Sequence, residues 1–313
     1  MPPARCEGFS HEAVMYAGDD GFVDGTAPFV RDGLEAEEPI AVMVPARHLD
    51  ALREELGRDA EHVFMADMEE VGANPARIIP AWRDFAVSSA RPGQAMRGIG
   101  EPIWASRTPA QLIECQRHES LINVAFADVA GFRLLCPYDV EALDPAVVEE
   151  ARRSHPIVCE GGCERESGVY RGEEESGAPF DVQLPEPPVP TDRIPFGFAE
   201  LRTMREIVER RAAVAGLGFE RSQDLVLAVG EVTTNSVRHG GGRGVLRVWE
   251  DDPWLVCEVR DRGRIDRPLA GRERPSYDRP GGRGLWLANQ LCDLVQVRAF
   301  AHGGVVRLHM RRG

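Results

Sequence analysis

A stretch near the middle of the chain limits what the sequence can fold into. Residues 158–195 include "EGGCERESGVYRGEEESGAPFDVQLPEPPVPTDRIP", which is rich in Gly, Pro and Glu and has little periodic apolar content. A segment of this composition cannot bury enough apolar surface to fold alone and is typical of a linker. We therefore predict two domains, over residues 1–157 and 196–313, with 158–195 as the linker between them.

The first domain alternates short apolar runs with amphipathic stretches. The strand-like runs are "EAVMYAG", "PIAVMVP", "HVFMAD", "AMRGIGEPIW" and "FRLLCPYD", and the stretches between them have helical periodicity. Strands and helices that alternate at this spacing indicate an α/β fold, in which helices cover both faces of a parallel sheet.

The second domain has a different order of elements. Two helical stretches, over about 198–217 and 222–239, precede two strands that are joined by "DDP". A Gly/Pro/Arg-rich stretch over 262–283 follows, and then a helix and two more strands. Helices that come first, with antiparallel strands after them, predict an α+β sandwich.

The charges of the chain exclude several kinds of site. The formal net charge is −14, which argues against direct nucleic-acid binding. All 37 basic residues are arginine, and without lysine a Walker phosphate loop and Schiff-base chemistry are excluded. Any phosphate site must therefore use backbone N–H groups, arginine and a metal ion. The N-terminus has no apolar signal core and no apolar run could span a bilayer, so we expect a cytoplasmic protein without membrane contact.

One helix of the second domain carries an unusual polar row. In "GEVTTNSVRHG", Glu231, Asn235 and His239 are four residues apart and so lie on one helical face. A structural helix would fill such a row with apolar side chains or leave all of it to solvent. The row therefore indicates chemistry at Glu231 and Asn235, whereas His239 at the helix end is more typical of a packing or capping residue.

Two further motifs follow in the second domain. Asp261 ends an apolar strand and is followed closely by Gly263, and the glycines of "RPGGRGLWLANQ" come directly before a helix. A glycine-rich turn at a helix N-terminus offers unpaired N–H groups and the positive end of the helix dipole to an anion. These segments together predict a site for a phosphate-containing ligand.

In this order, E-x-x-x-N, D-x-G and G-x-G, the residues resemble the GHKL ATPase family of gyrase, Hsp90, histidine kinases and MutL-type proteins. Within it they resemble most the bacterial anti-sigma-factor serine kinases, over about residues 195–313. The resemblance implies that ATP is bound with Mg²⁺, which Asn235 would coordinate. It also implies that Glu231 acts as general base and that Asp261 accepts a hydrogen bond from the adenine amino group.

The same resemblance implies roles for the remaining motif residues. Residues 264–280 would form a lid over the nucleotide, although the usual second glycine of the first glycine box is replaced by Arg264. The residues implied to contact the nucleotide through backbone or guanidinium groups are Arg238, Gly263, Arg279, Gly281, Gly282, Arg283 and Gly284.

The resemblance implies a regulatory function in transcription, of the kind used in stress responses. Such a protein sequesters a sigma factor and phosphorylates a Ser or Thr of an anti-anti-sigma partner with a STAS domain, and its kinase domain usually pairs as a homodimer. One alternative is a partner-sequestering module without catalysis, in which ATP only gates binding. A sensor histidine kinase is a second alternative, but the helix at 198–215 contains no phosphoacceptor His.

The first domain resembles the MEDS sensory domain, named from methanogen and methylotroph regulators. The resemblance rests on "HEAVMYAGDD", "VRDGLEAEEPIAVMVP", "RHESLINVAF", "LLCPYD" and "ARRSHP", over about residues 10–157. It implies a RecA-type sheet without ATPase machinery that binds a small-molecule signal or a partner protein. The polar candidates near strand ends are His11, Tyr138, Asp139 and His155.

The end of the first domain and the start of the linker also contain residues of the types that bind metal ions. His155, Cys159 and Cys163 are spaced four apart, which supplies three ligands of a metal site. The alternative is that these residues belong to a loop that leaves the first domain.

Overall fold

The computed structural model describes residues 8–91, 93–175, 177–275 and 282–312. The chain forms two compact units, of which the first ends at Ala178 and the second begins at Pro179. In the described part of the chain, no helix is both long enough and apolar enough to cross a bilayer.

The first unit contains most of the elements that the alternating pattern predicts. They are β1 (Ser10–Tyr16), α1 (Gly18–Glu35), β2 (Ile40–Val44), α2 (Ala46–Leu56), β3 (Phe64–Asp67), α3 (Met68–Val71), α4 (Ile78–Ser89), β4 (Met96–Gly100), α5 (Pro109–Phe126), β5 (Phe132–Asp139), α6 (Pro145–Ser154), β6 (Ile157–Glu160) and β7 (Cys163–Glu166).

These strands form one sheet in the order β3-β2-β4-β5-β1-β6-β7, in which only β6 and β7 pair antiparallel. Successive residues of a strand face opposite sides of the sheet. Val14 and Tyr16 pack on one side with buried residues of α1 and α2. His11 faces the other side, towards α5. The predicted α/β fold with helices on both faces is therefore confirmed.

Strands β6 and β7 lie mostly within the stretch that the sequence assigns to a linker. β6 pairs in parallel with β1, and a turn at Gly161 and Gly162, with φ of 59° and 75°, leads into β7. Apolar content alone did not indicate these strands, because a short strand can join an existing sheet edge through backbone hydrogen bonds.

The second unit is the predicted α+β sandwich. Its elements are β8 (Ile194–Phe196), α7 (Leu201–Val214), α8 (Phe219–His239), β9 (Gly244–Asp251), β10 (Trp254–Asp261), α9 (Arg283–Leu291), β11 (Leu294–Phe300) and β12 (Gly303–Arg311). The strands form an antiparallel sheet in the order β11-β12-β10-β9-β8. Buried apolar residues of all three helices share one core with apolar residues of this sheet.

Charged groups of this unit bring part of the predicted linker against the strands. Glu258 in β10 is fully buried and accepts hydrogen bonds from Arg307 at 2.6 Å and Arg260 at 2.7 Å. Glu186 accepts a hydrogen bond from Arg247 at 2.6 Å, and the Pro185 carbonyl accepts one from Arg307 at 2.7 Å. An ion pair and a hydrogen bond therefore hold residues 185–186 to the sheet. The apolar content of the segment gives no sign of these contacts.

Candidate functional site

Helix α8 positions the polar row that the sequence predicts. Glu231 and Asn235 are one turn apart and half-buried, whereas Val229 and Val232 of the same helix lie in the core. The neighbouring hydroxyls are satisfied by the helix itself, since Thr234 Oγ1 donates to Gly230 O at 2.7 Å. The side chains of Glu231 and Asn235 form no hydrogen bond with a described residue, so their oxygens remain available to a ligand.

The first turn of α9 lies directly against these two side chains. A Cβ atom on Gly284 would lie 2.6 Å from Asn235 Nδ2 and 3.2 Å from Glu231 Oε2. Gly282, the N-cap of α9, has φ of 80°, a left-handed conformation that glycine adopts without strain. Because the first N–H groups of a helix have no partner within it, α9 brings free donors next to Asn235.

The turn after β10 lies against the C-terminal end of α8. Asp261 Oδ1 accepts a hydrogen bond from the Gly263 N–H at 2.7 Å. A Cβ on Gly240 would lie 2.5 Å from Asp261 Cγ, and one on Gly263 would lie 2.8 Å from the His239 carbonyl oxygen. These close approaches explain why glycine stands at both positions. Asp261 Oδ2 has no hydrogen-bond partner among the described residues and can accept one from a ligand.

The three motifs therefore meet along the C-terminal half of one helix. Asn235 contacts the start of α9, and Gly240, about 7.5 Å further along the helix axis, contacts Asp261. The sequence stretches are far apart in the chain and join here because α9 packs on α8 while β10 ends beside it. The roles of the individual residues stay predictions.

Only some of the arginines predicted to contact the nucleotide lie in the described part of the chain. Arg238 and Arg283 are exposed, and neither pairs with a carboxylate of a described residue. Arg279 and Gly281 lie outside the described residues, as does the end of the predicted lid 264–280. Within its described part, the Gly271 carbonyl accepts a hydrogen bond from Asn289 of α9 at 2.9 Å, which holds that point of the segment to the helix. The side chain of His239 is exposed at the end of α8.

In the first unit, the polar candidates separate into different roles. Asp139 accepts hydrogen bonds from the N–H groups of Glu141 and Ala142 at 3.0 and 3.2 Å, which is a turn-forming role. Tyr138 is buried, and its hydroxyl has no hydrogen-bond partner among the described residues. His11 and His155 come together with ring centroids 3.9 Å apart, and burial, followed by the charge of His155, lowers the pKa of His11 to about 4.

The structure separates the three residues that the spacing grouped as metal ligands. His155 ends α6 inside the unit, whereas Cys159 lies on β6 and Cys163 lies exposed on β7. Spacing alone was misleading here because a strand begins between the histidine and the cysteines. The potential ligands around His155 are instead His11, Glu119 and Cys136, of which Glu119 and Cys136 were not identified from the sequence as site residues.

Sequence reasoning also missed a polar group at the carboxyl ends of the parallel strands. Tyr16 at the end of β1 donates to Glu101 Oε1 at 2.7 Å, and His48 Nδ1 lies 2.5 Å from Glu101 Oε2. Burial raises the pKa of the Glu101 carboxyl, which is just after β4. Ligands of open α/β sheets bind at this edge, so the acid that directly follows the strand in "GIGEPIW" was the available signal.

Comparison with known proteins gives a separate result for each unit. Residues 10–156 match the family described as MEDS: MEthanogen/methylotroph, DcmR Sensory domain. Residues 194–310 match the family described as Histidine kinase-like ATPase domain. No curated protein matches the chain.

Among solved structures, the RsbU and RsbW domains of Rv1364c from Mycobacterium tuberculosis are similar at 22% identity with a TM-score of 0.30. This similarity covers 40% of the present chain and 33% of that structure. The two family matches confirm the resemblance of the first unit to the MEDS domain and of the second unit to the GHKL ATPases, whereas the narrower resemblance to anti-sigma-factor serine kinases stays a prediction. The chain therefore contains a MEDS domain at residues 10–156 and a histidine kinase-like ATPase domain at residues 194–310.

Proposed function

We propose that the chain is an ATP-binding anti-sigma regulatory factor. Its C-terminal domain would sequester a sigma factor and phosphorylate a Ser or Thr of an anti-anti-sigma partner with a STAS domain. The N-terminal domain would tune this exchange in response to a signal. The observation that carries the proposal is the contact of the first turn of α9 with Glu231 and Asn235.

The residues at this contact fit a magnesium-bound nucleotide. The amide oxygen of Asn235 is a hard ligand of the kind that Mg²⁺ takes. The N-terminal N–H groups and the dipole of α9 favour phosphate oxygens, and Gly284 leaves them accessible because it has no side chain. Asp261 Oδ2 is free to accept a hydrogen bond from the adenine amino group. Arg238 and Arg283, both exposed, supply positive charge where lysine is absent from the chain.

In this proposal, Glu231 takes the proton of the attacking hydroxyl. Bound ATP with Mg²⁺ supplies the γ-phosphoryl group, and the metal offsets its negative charge. In the transfer, the oxygen of the partner's hydroxyl forms a bond to the γ-phosphorus, the bond to ADP breaks, and the hydroxyl proton passes to the Glu231 carboxylate. This carboxylate is half-buried and has no hydrogen bond to a described residue, so it can accept that proton. Positioning and electrostatic stabilisation account for the rest of the catalysis.

The N-terminal domain supplies the regulation in this proposal. A small-molecule signal would bind at the carboxyl edge of the parallel sheet, where Tyr16, His48 and Glu101 form a connected polar group. A ligand that hydrogen-bonds to Glu101 would replace contacts among these three residues and so alter the ends of the strands that carry them.

Transfer of a radioactive phosphoryl group tests the proposal. The purified chain is incubated with γ-labelled ATP, Mg²⁺ and STAS-domain proteins from the same organism. We expect acid-stable label on one STAS protein, and about a 100-fold to 10,000-fold slower transfer with Glu231→Ala. The matched control is Glu220→Ala, an exposed acid in the first turn of the same helix, which should transfer at the normal rate.

The other outcomes distinguish the alternatives. ATP binding without transfer to any STAS protein would indicate a partner-sequestering module in which nucleotide only gates binding. Acid-labile label on the chain itself would indicate a histidine kinase. Calorimetry that shows no binding of Mg·ATP would contradict the proposal as a whole.

A further inference from the structure

The first unit contains a buried group of potential metal ligands that the proposed function does not use. It consists of His11 in β1, Glu119 in α5, Cys136 in β5 and His155 at the end of α6. Their exposed fractions are 0%, 1%, 2% and 0%. One potential ligand atom from each residue lies within 4.8 Å of the others. We propose that these four side chains bind one Zn²⁺ ion.

The distances within the group suit a single tetrahedral ion. His11 Nε2 lies 3.2 Å from Glu119 Oε2 and 3.3 Å from Cys136 Sγ. His155 Nε2 lies 3.1 Å from the same Glu119 oxygen. Ligand atoms that bind zinc at about 2.0–2.3 Å are themselves about 3.3–3.7 Å apart in a tetrahedron. The observed separations are close to these edges, so small side-chain rotations would complete the site.

In each histidine, the contact made by Nδ1 fixes the direction in which Nε2 points. Asn123 Nδ2 donates to Ser154 O at 2.8 Å, which turns Asn123 Oδ1 towards His11 Nδ1 at 3.1 Å. His155 Nδ1 lies 2.8 Å from the Ala151 carbonyl oxygen. Both Nδ1 atoms face acceptors and must carry the hydrogen. In a neutral ring Nε2 then has a free lone pair, and a metal-bound histidine is usually oriented by a hydrogen bond of this kind.

Without a cation, this arrangement is electrostatically poor. Two neutral rings would direct both Nε2 lone pairs at one carboxylate oxygen, Glu119 Oε2. If one ring were protonated, the other would still direct its lone pair at that oxygen, and if both were protonated, two positive charges would be opposed by one buried carboxylate. A Zn²⁺ ion removes both problems, because the Glu119 carboxylate and the Cys136 thiolate balance its charge and the two imidazoles bind it as neutral ligands.

The ligand set also indicates what kind of zinc site this is. All four positions are filled by side chains of this chain, which is the pattern of a structural site with no open position for water or substrate. The ion would join β1, β5, α5 and the end of α6, directly before the chain enters β6. Mg²⁺ would not compete, because it prefers oxygen ligands and keeps several waters.

Metal analysis of the full-length chain tests the site. Protein reloaded with Zn²⁺ after chelation should hold one zinc ion per chain, and X-ray absorption should show one sulfur among four ligands. Two sulfurs would require a different set of ligands and overturn the proposal. Failure of the chelated, folded protein to take up zinc would also overturn it. Neither measurement needs a variant that might not fold.

Cobalt substitution identifies the cysteine. Co²⁺ in the site should give a thiolate-to-metal charge-transfer band and the intense visible bands of tetrahedral cobalt. Cys136→Ser should remove the charge-transfer band, whereas Cys115→Ser, a buried cysteine on α5 outside the group, should keep it. Asn123→Ala should weaken zinc binding about 10–100-fold while keeping the band. A band that persists in Cys136→Ser would contradict the proposal.

Discussion

The two units place similar polar groups in opposite surroundings. In the first unit, Glu119 and the ligands around it are at most 2% exposed and are covered by the sheet and its helices. In the second unit, Glu231, Asn235 and Asp261 are half-buried, and the first two lie beside the N-terminus of α9. A sealed group suits an ion that stays bound, whereas a half-open group suits a nucleotide that must be exchanged. Burial determines how readily each ligand leaves, whereas residue type determines which ligand binds.

The largest expected contrast is in the rate at which each proposed ligand leaves. When the chain loaded with zinc and a fluorescent ATP analogue is mixed with excess chelator, we expect the nucleotide signal to disappear at once, because Mg²⁺ is removed from a half-open site. Zinc should leave about a thousandfold more slowly or slower still, since opening a sealed core costs about 4 kcal/mol or more. A chromogenic chelator follows the zinc.

Urea below the unfolding midpoint sharpens this comparison. It should speed zinc release, because release requires local opening, and it should leave the loss of nucleotide after chelation unchanged. Release of both ligands at the same rate would show that the two sites are equally open, and the contrast between the units would then be wrong.

The next effect concerns a histidine that is buried in the second unit. His309 in β12 lies 3.1 Å from Gln296 Oε1, and burial, with the charge of Arg307 second, lowers its pKa from 6.5 to about 3. Above pH 6.5 the ring is neutral in both states. As pH falls from about 6.5 to about 3, only the unfolded chain takes up the proton, so the folded state loses about 3 kcal/mol by pH 4.

Hydrogen exchange of the β11 and β12 amides measures this loss in the full chain. His309→Gln should show a smaller decrease in stability between pH 7 and pH 4 than the wild type, by about 3 kcal/mol. His239→Gln is the matched control, because that side chain is exposed at the end of α8 and its replacement should leave the pH dependence unchanged. Equal decreases in wild type and His309→Gln would show that His309 does not cause the loss of stability at low pH.

The smallest effect probes the contact between α8 and α9. Gly284→Ala would place a Cβ 2.6 Å from Asn235 Nδ2. The shifts needed to accommodate such overpacking cost about 1–3 kcal/mol. We expect binding of a non-hydrolysable ATP analogue with Mg²⁺ to weaken about tenfold or more, measured by calorimetry. Gly218→Ala is the control, since a Cβ there meets no atom within 4 Å. Unchanged binding in Gly284→Ala would place the nucleotide elsewhere.

The sequence predicted most elements because their patterns are local. The runs "GVLRVWED" and "WLVCEVRD" coincide with β9 and β10, and "FRLLCPYD" coincides with β5. The resemblance to the GHKL family, which rests on the order of the three motifs, predicted that Asn235, Asp261 and Gly284 belong to one site. The part of the linker that pairs with the sheets was missed, because ion pairs such as Glu186 with Arg247 depend on residues 61 positions apart.

By itself, the sequence determined the two fold classes, the absence of lysine from any phosphate site, and the residues of the polar row in α8. These follow from periodicity, composition and spacing, all of which act over a few turns or strands. Only the tertiary structure decided that His155 lies with His11, Glu119 and Cys136 rather than with Cys159 and Cys163. The reason is physical: strand order and helix packing bring distant residues together, and local spacing contains no information about which of them will meet.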